Sequence, residues 1–260
     1  GGKNLFYYLP LTIAEQLGYF KDEGLQVEIP DFAGGAKALQ ALVGGSADVV
    51  SGAFEHTINM QAKNQPIMSV VLQGRAPQIV MAVSTKTMPG YKSIADLKGK
   101  KIGVTAPGSS TAMMASYVLA KAGLKASDVS FIGVGASSGA IAAVKSGQVD
   151  AIANLDPVIT MLQRDNLIKV VADTRTLKDT QAVYGGPMPA ACLYTPVKFV
   201  QDNPGTTQAL ANAMVRALRW LQKAGPSDIV KTVPDSYLLG DRALYLAGWE
   251  RVREAISPDG

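Results

Sequence analysis

Ala38-Leu39-Gln40-Ala41-Leu42-Val43-Gly44-Gly45-Ser46-Ala47-Asp48-Val49-Val50 returns, 102 residues later, as Ala140-Ile141-Ala142-Ala143-Val144-Lys145-Ser146-Gly147-Gln148-Val149-Asp150-Ala151-Ile152. Ala38/Ala140, Ala41/Ala143, Gly45/Gly147 and Asp48/Asp150 are identical, and several other positions exchange one aliphatic residue for another. Each copy reads as a short helix ended by a Gly, which suits a C-terminal position with positive φ. A small polar step and an Asp then lead into a strand. A glycine- or serine-rich turn precedes both helices, at Gly34-Gly35 and at Gly135-Ala136-Ser137-Ser138-Gly139. Helix–Gly–strand is also a generic α/β unit. As a true repeat it implies two lobes of similar build. Two such lobes face each other across a cleft lined by strand ends and helix N-termini, where open α/β sheets take their ligands.

Outward from the repeat, strand-like and helical patterns alternate. Strands are expected at 25–29, 48–51, 68–72, 79–84, 101–105, 129–133, 151–153, 169–172 and 191–195. Helices are expected at 10–17, 37–44, 55–63, 93–97, 111–122, 139–146, 157–165, 204–223 and 241–256. The alternation predicts an α/β fold with mostly parallel strands and helices on both faces. Asn203-Pro204 opens one helix with Pro at its first position. There, Leu210, Met214, Ala217, Leu218 and Leu221 recur at helical spacing, as a core-facing stripe does.

Composition removes several classes of chemistry. The 260 residues are 47% hydrophobic and 18% charged, long enough for one large or two modest domains with a sizeable core. The net charge is only +4 and the basic residues are scattered, which argues against a nucleic-acid footprint. A single Cys excludes an intrachain disulfide and Cys-based metal sites; a single His excludes multi-His metal sites. The apolar runs are strand-sized, far short of the roughly 20 residues of a membrane span. Phosphate-loop and dinucleotide fingerprints do not occur. Gly135–Gly139 spells G-x-S-x-G, but a nucleophile elbow needs a His later in the chain, and His56 lies upstream.

The remaining candidates sit in turns after strands. Pro107-Gly108-Ser109-Ser110-Thr111 opens a helix, where hydroxyls and free amides can hold an anion; one of these hydroxyls can equally be an ordinary N-cap. Ser51-Gly52-Ala53-Phe54-Glu55-His56 follows the strand of the first copy, and Asn154-Leu155-Asp156-Pro157 that of the second. Glu55 and Asp156 can also simply favour helix first turns, and His56 can be a satisfied helix-start residue. Arg75 can pair an acidic ligand bidentately or stand as a solvated loop residue. An anion seat predicts that Arg75 and the Ser109–Thr111 turn meet across the cleft.

Pro10-Leu11-Thr12-Ile13-Ala14-Glu15-Gln16-Leu17-Gly18-Tyr19-Phe20-Lys21-Asp22-Glu23-Gly24-Leu25-Gln26-Val27-Glu28 resembles the opening of the sulfonate-, taurine- and nitrate-type substrate-binding proteins of ABC importers. The resemblance runs on through Gly34-Gly35, Gly45-Ser46-Ala47-Asp48, Asp96-Leu97-Lys98-Gly99-Lys100-Lys101-Ile102-Gly103-Val104, the Pro-Gly-Ser-Ser-Thr turn, Gly147–Ala151 and Asn203-Pro204. It implies a type II periplasmic-binding-protein fold of two doubly wound α/β lobes, 1–85 plus 192–260 and 86–191, hinged around an interlobe cleft. It implies no cofactor, no metal and no catalysis. The expected partners are a small anionic ligand (sulfonate, carboxylate or nitrate-like) and a membrane permease, with no nucleic acid and the protein a monomer. A periplasmic protein with its leader removed, or a lipid-anchored extracellular one, is expected. The family's site loops carry over to Tyr7, Tyr8, Ser51, Gly52, Phe54, Glu55, Arg75, Gly108, Ser109, Ser110, Thr111, Asn154, Asp156 and Tyr184. Two departures stand out: the family's short strand before the opening would end near Gly1, so that it is either cut off here or Lys3–Tyr8 differs, and Leu155-Asp156-Pro157 replaces Trp-Glu-Pro, which removes an aromatic wall. Two further readings share the outline, the pyrimidine synthase of thiamine biosynthesis (or a precursor-binding protein) and the effector domain of a transcription regulator. The single Cys192 and single His56 count against the synthase; a regulator's effector domain would normally follow a helix-turn-helix segment.

Overall fold

The computed structural model describes residues 1–260. Eight strands form two sheets: β1 (Val50–Ala53), β2 (Ile67–Leu72), β3 (Val80–Ser84), β4 (Lys101–Val104), β5 (Ser130–Gly133), β6 (Ala151–Asn154), β7 (Ile168–Asp173) and β8 (Ala191–Pro196). The first sheet has the order β1-β8-β2 and the second β5-β4-β6-β3-β7. β3 and β6 lie inside the second sheet and are buried at every residue, which is why their sequences are apolar without alternation.

The expected preponderance of parallel pairing is not found. β4 runs parallel to β5 and β6, but β3 is antiparallel to both its neighbours, and so is β8. β3 is the strand by which the chain enters the second sheet and β8 the one by which it returns to the first, and each runs against the neighbouring strands of its sheet. Val80–Ser84 pairs with β6 and β7, so the switch between sheets falls before Val80 rather than after residue 85. The return crossing lies between Thr174 and Ala190.

The repeat is real in three dimensions. Helices Gly35–Val43 and Ser138–Ser146 precede β1 and β6, and Gly45 and Gly147 take φ of 78° and 82°. β1 beside β8 corresponds to β6 beside β3. In the second sheet β6 has β4 on its other edge, and the Asp150 carboxylate fixes that pairing by accepting from the Lys101 N–H at 3.0 Å. In the first sheet the equivalent edge of β1 borders a cavity of about 540 Å³. Leu25–Phe32 forms its far wall and Asp48–Ser51 its near one. The expected strand at 25–29 is not formed: its side-chain pattern is strand-like, but it joins neither sheet.

Helix Pro204–Lys223 matches expectation residue for residue, burying Leu210, Met214, Ala217, Leu218 and Leu221 together with Ala213. They pack with Phe6, Leu9, Ile13 and Trp249 in one core under the first sheet. Helix Leu177–Tyr184 was not expected, although Thr176 and Asp179 carry its cap: the Thr176 hydroxyl accepts from Asp179 N at 3.0 Å.

Candidate functional site

Two loops from the two halves of the fold meet backbone to side chain. After β4, Ser109 Oγ accepts from the N–H of Ala36, at the start of the helix preceding β1, at 2.9 Å. A Cβ on Gly34 would lie 2.9 Å from both Ala106 Cβ and Ser109 Oγ, so only glycine lets the loops approach. His56 Nε2 faces the Gly108 carbonyl at 3.4 Å while Nδ1 faces the Tyr194 hydroxyl at 3.1 Å. One neutral tautomer satisfies both, with Nε2–H donating to Gly108 and Nδ1 accepting from Tyr194. Burial, the main influence on this ring, lowers its pKa and keeps it in that neutral form. Asn4 Nδ2 adds a third link, to the Ala136 carbonyl at 2.7 Å.

Gly52 sets the position of Tyr194. A Cβ there would stand 2.5 Å from the tyrosine ring. Gly52→Ala is expected to cost about 1–3 kcal/mol by overpacking and to displace Tyr194 from His56. Chemical denaturation reads the first effect. A variant as stable as the parent would show that the ring yields freely.

The buried polar atoms with no protein partner include Tyr7 OH, Glu55 Oε2, Gln73 Oε1 and both ends of the Gln78 amide. The Ala190-Ala191 backbone gathers them. Phe54 N donates to Ala190 O, and Gln73 N and Gly74 N both donate to Ala191 O. The Cβ position of Gly74 is 3.6 Å from Gln78 Nε2. Tyr7 packs in the same core as Ala53, Ala190 and Ala191, with Tyr184 against its margin. Burial pushes the Glu55 carboxyl up to about 7, only partly opposed by its own backbone N–H. Burial and then the neighbouring Glu55 charge raise the Tyr7 and Tyr184 hydroxyls. Tyr184 also stacks on Tyr117 with ring centroids 4.8 Å apart, and Tyr8 meets Tyr7 edge-on at 4.9 Å. Ser51 holds Gln73 by accepting from its Nε2 at 2.8 Å.

Other expected site residues are committed elsewhere. Arg75 does not reach the turn at Ser109–Thr111: it is exposed, and its Nε donates to the Glu254 carbonyl at 3.0 Å. Thr111 is buried and shares a hydrogen bond with the Thr105 hydroxyl at 2.9 Å. Ser110 is buried in the first turn of helix Ser110–Lys121. The Phe54 ring packs on the small core around Leu42 and Tyr194. Asn154 donates to the Gly135 carbonyl at 3.0 Å and accepts from Leu155 N, which shapes its own loop. Asp156 is buried against Thr160 and Arg175. An anion seat built from Arg75 and the helix turn is therefore absent.

Sequence reading passed over Gln73, Gln78 and Arg175. The available signal was two glutamines bracketing Gly74-Arg75-Ala76-Pro77 between apolar strands, polar groups placed where the chain changes sheets. No three His, Cys, Asp or Glu side chains come together as a metal site would need, and no helix is long and apolar enough to cross a membrane.

Residues 5–226 match the family described as NMT1/THI5 like. A Brucella abortus protein described as a binding protein is 37% identical over 151 residues, 57% of this chain. That match spans 44% of the relative, so the chain accounts for less than half of its length. A solved structure from Bordetella bronchiseptica is 64% identical with a TM-score of 0.99, covering 100% of this chain and 82% of that one. The alkanesulfonate-binding protein of Xanthomonas axonopodis, solved with MOPS, has a TM-score of 0.71 at 22% identity, covering 98% of this chain and 82% of its own. At that identity the likeness is one of fold.

Proposed function

The chain belongs to the NMT1/THI5-like family and has the two-lobed periplasmic-binding-protein fold, and from this premise we propose that it is the solute-binding component of an ABC importer. It captures a small organic solute between its lobes and hands it, chemically unchanged, to a membrane permease outside the cytoplasm, acting as a monomer. The observation that carries this reading is the closure itself. The links Ala36–Ser109, His56–Gly108 and Asn4–Ala136 join the two halves directly, and the molecule also buries polar atoms with no protein partner, Tyr7 OH and Glu55 Oε2 among them. Buried polar groups without partners cost stability, and a bound solute removes that cost. Sulfonate- and nitrate-binding proteins among the structural relatives support a transport role.

Two lobes joined by crossing segments close as rigid bodies about a hinge. Small-angle scattering is expected to show a smaller radius of gyration with any solute that raises the melting temperature. A solute at a hundredfold excess over its Kd adds about 2.7 kcal/mol to stability, so binding is readily seen. A radius unchanged at saturation would count against ligand-driven closure.

A further inference from the structure

Resting on the hinged closure read above, we propose that Ser109 is a helix cap exchanged between the lobes. With the lobes together its hydroxyl caps helix Gly35–Val43 of the opposite lobe; with the lobes apart it turns back to cap its own helix, Ser110–Lys121. Ser109 occupies the N-cap position of Ser110–Lys121 with the extended backbone of a capping serine, φ −78° and ψ 166°, yet its side chain makes no bond to that helix. Its Oγ accepts instead from the N–H of Ala36, the second residue of Gly35–Val43, at 2.9 Å. The N-cap of that helix is Gly34, which has no side chain to offer. One lobe thus supplies the cap that the sequence of the other lacks. For a serine at an N-cap, the first-turn N–H groups of its own helix are one χ1 rotation away, so the hydroxyl has two alternative seats.

The seam around this contact is shaped for it. Gly34 has φ of 178°, a backbone that any residue adopts, so its own conformation does not call for glycine. The opposite lobe does: a Cβ there would meet Ala106 Cβ and Ser109 Oγ at 2.9 Å and Ala106 N at 3.1 Å. Gly35 is closed in similarly, with His56 Cε1 3.1 Å from its Cβ position. The two seats of the hydroxyl are unequal. Ser109 is buried at 1% exposure and lies over the half-buried Ala36, whereas a helix end on a parted lobe reaches water. A donor cut off from water loses more when its partner is removed. Ser109 therefore favours the closed arrangement, and it is a positioning residue that acts through closure. The contact is made by protein on both sides, so a measurable fraction of molecules closes without solute.

The test needs no ligand. It compares the parent with Ser109→Ala, Gly34→Ala and the double variant by small-angle scattering and by amide hydrogen exchange followed by nuclear magnetic resonance, with melting temperatures as the check on folding. Gly34→Ala adds a methyl that wedges the seam without straining the backbone, and it is expected to enlarge the radius of gyration. Ser109→Ala is expected to speed exchange at Ala36 several-fold while leaving Thr111 and Ala112 little changed. In the Gly34→Ala background the same replacement is expected to do the reverse, speeding Thr111 and Ala112 and leaving Ala36 alone. Equal Ala36 exchange in the parent and Ser109→Ala would overturn the exchanged cap, and Ser109→Ala alone supplies that result should the wedge variant not fold. The hinged closure would survive it if Gly34→Ala still enlarged the molecule. First-turn amides that respond to Ser109→Ala equally in both backgrounds would also overturn the proposal. A folded Gly34→Ala with an unchanged radius would show that the lobes do not part at this seam, and the cap and the hinged closure would fall together.

Discussion

Arg175→Met is expected to destabilise the fold by about 3–5 kcal/mol, the cost of leaving a buried charge without its partner. Arg175 follows β7 and is nearly inaccessible. Its Nε and Nη2 lie 2.6–3.0 Å from the two Asp173 oxygens, and Nη1 reaches Gln163 Oε1 at 3.0 Å and Asp156 Oδ2 at 3.4 Å. Asp156 is the vulnerable member. It is buried, its Oδ1 is taken by the N–H and hydroxyl of Thr160, and Arg175 is the one cation beside it. Burial raises the Asp156 pKa, and Arg175 is the strongest of the groups pulling it back. Without the guanidinium, the carboxylate is buried unpaired or takes up a proton, and either outcome costs stability. Urea denaturation measures the loss. The double variant Asp156→Asn/Arg175→Met is expected to recover part of it, since both charges leave together. A single variant within about 1 kcal/mol of the parent would show that water reaches the Asp156 carboxylate.

Glu55→Gln is expected to act in the opposite direction. The Glu55 carboxyl is raised from 4.5 to about 7 by burial. Between those values the folded protein holds a proton that the unfolded chain has released. Stability from this group is therefore fully present below pH 4.5 and is lost as pH rises through about 7. The difference corresponds to about 3 kcal/mol. The unliganded Glu55→Gln variant has no such loss, so near pH 8 it should exceed the parent by up to that amount, and below pH 4.5 the two should converge. Melting temperatures of parent and variant across pH 4–8 decide it. A constant gap would mean that Glu55 finds a compensating partner in the free protein. The neighbouring groups Tyr7, Tyr8, Tyr184 and Cys192 remain neutral over this range because burial raises all of them.

These two residues show how far the sequence could be read. The repeat, its positive-φ glycines and helix Pro204–Lys223 were legible because they are local: a Gly after a helix and a stripe at helical spacing need no knowledge of what lies opposite. Arg75 and Arg175 were not separable that way. Both lie in turns after strands, and what distinguishes them is Glu254, 179 positions away, against Asp156 and Asp173. The links that close the cleft are fainter still, since Ala36 N, Gly108 O and Ala136 O are backbone atoms and carry no side-chain signature. Leu25–Ile29 shows the converse error. Its alternation is that of a strand, but pairing is a property of two segments, and the neighbouring edge of β1 stands across a cavity.

The His56 contact has a practical corollary. The chain contains one histidine, and that residue bridges Tyr194 in one half of the molecule to the Gly108 carbonyl in the other. Opening the cleft exchanges the Nε2 partner from a carbonyl to water and releases the ring from its fixed tautomer. A single pair of imidazole nitrogens therefore observes the conformational equilibrium of the whole protein. Its resonances need no assignment by mutagenesis, and the fraction of open molecules can be followed by nuclear magnetic resonance without attaching a dye or spin label.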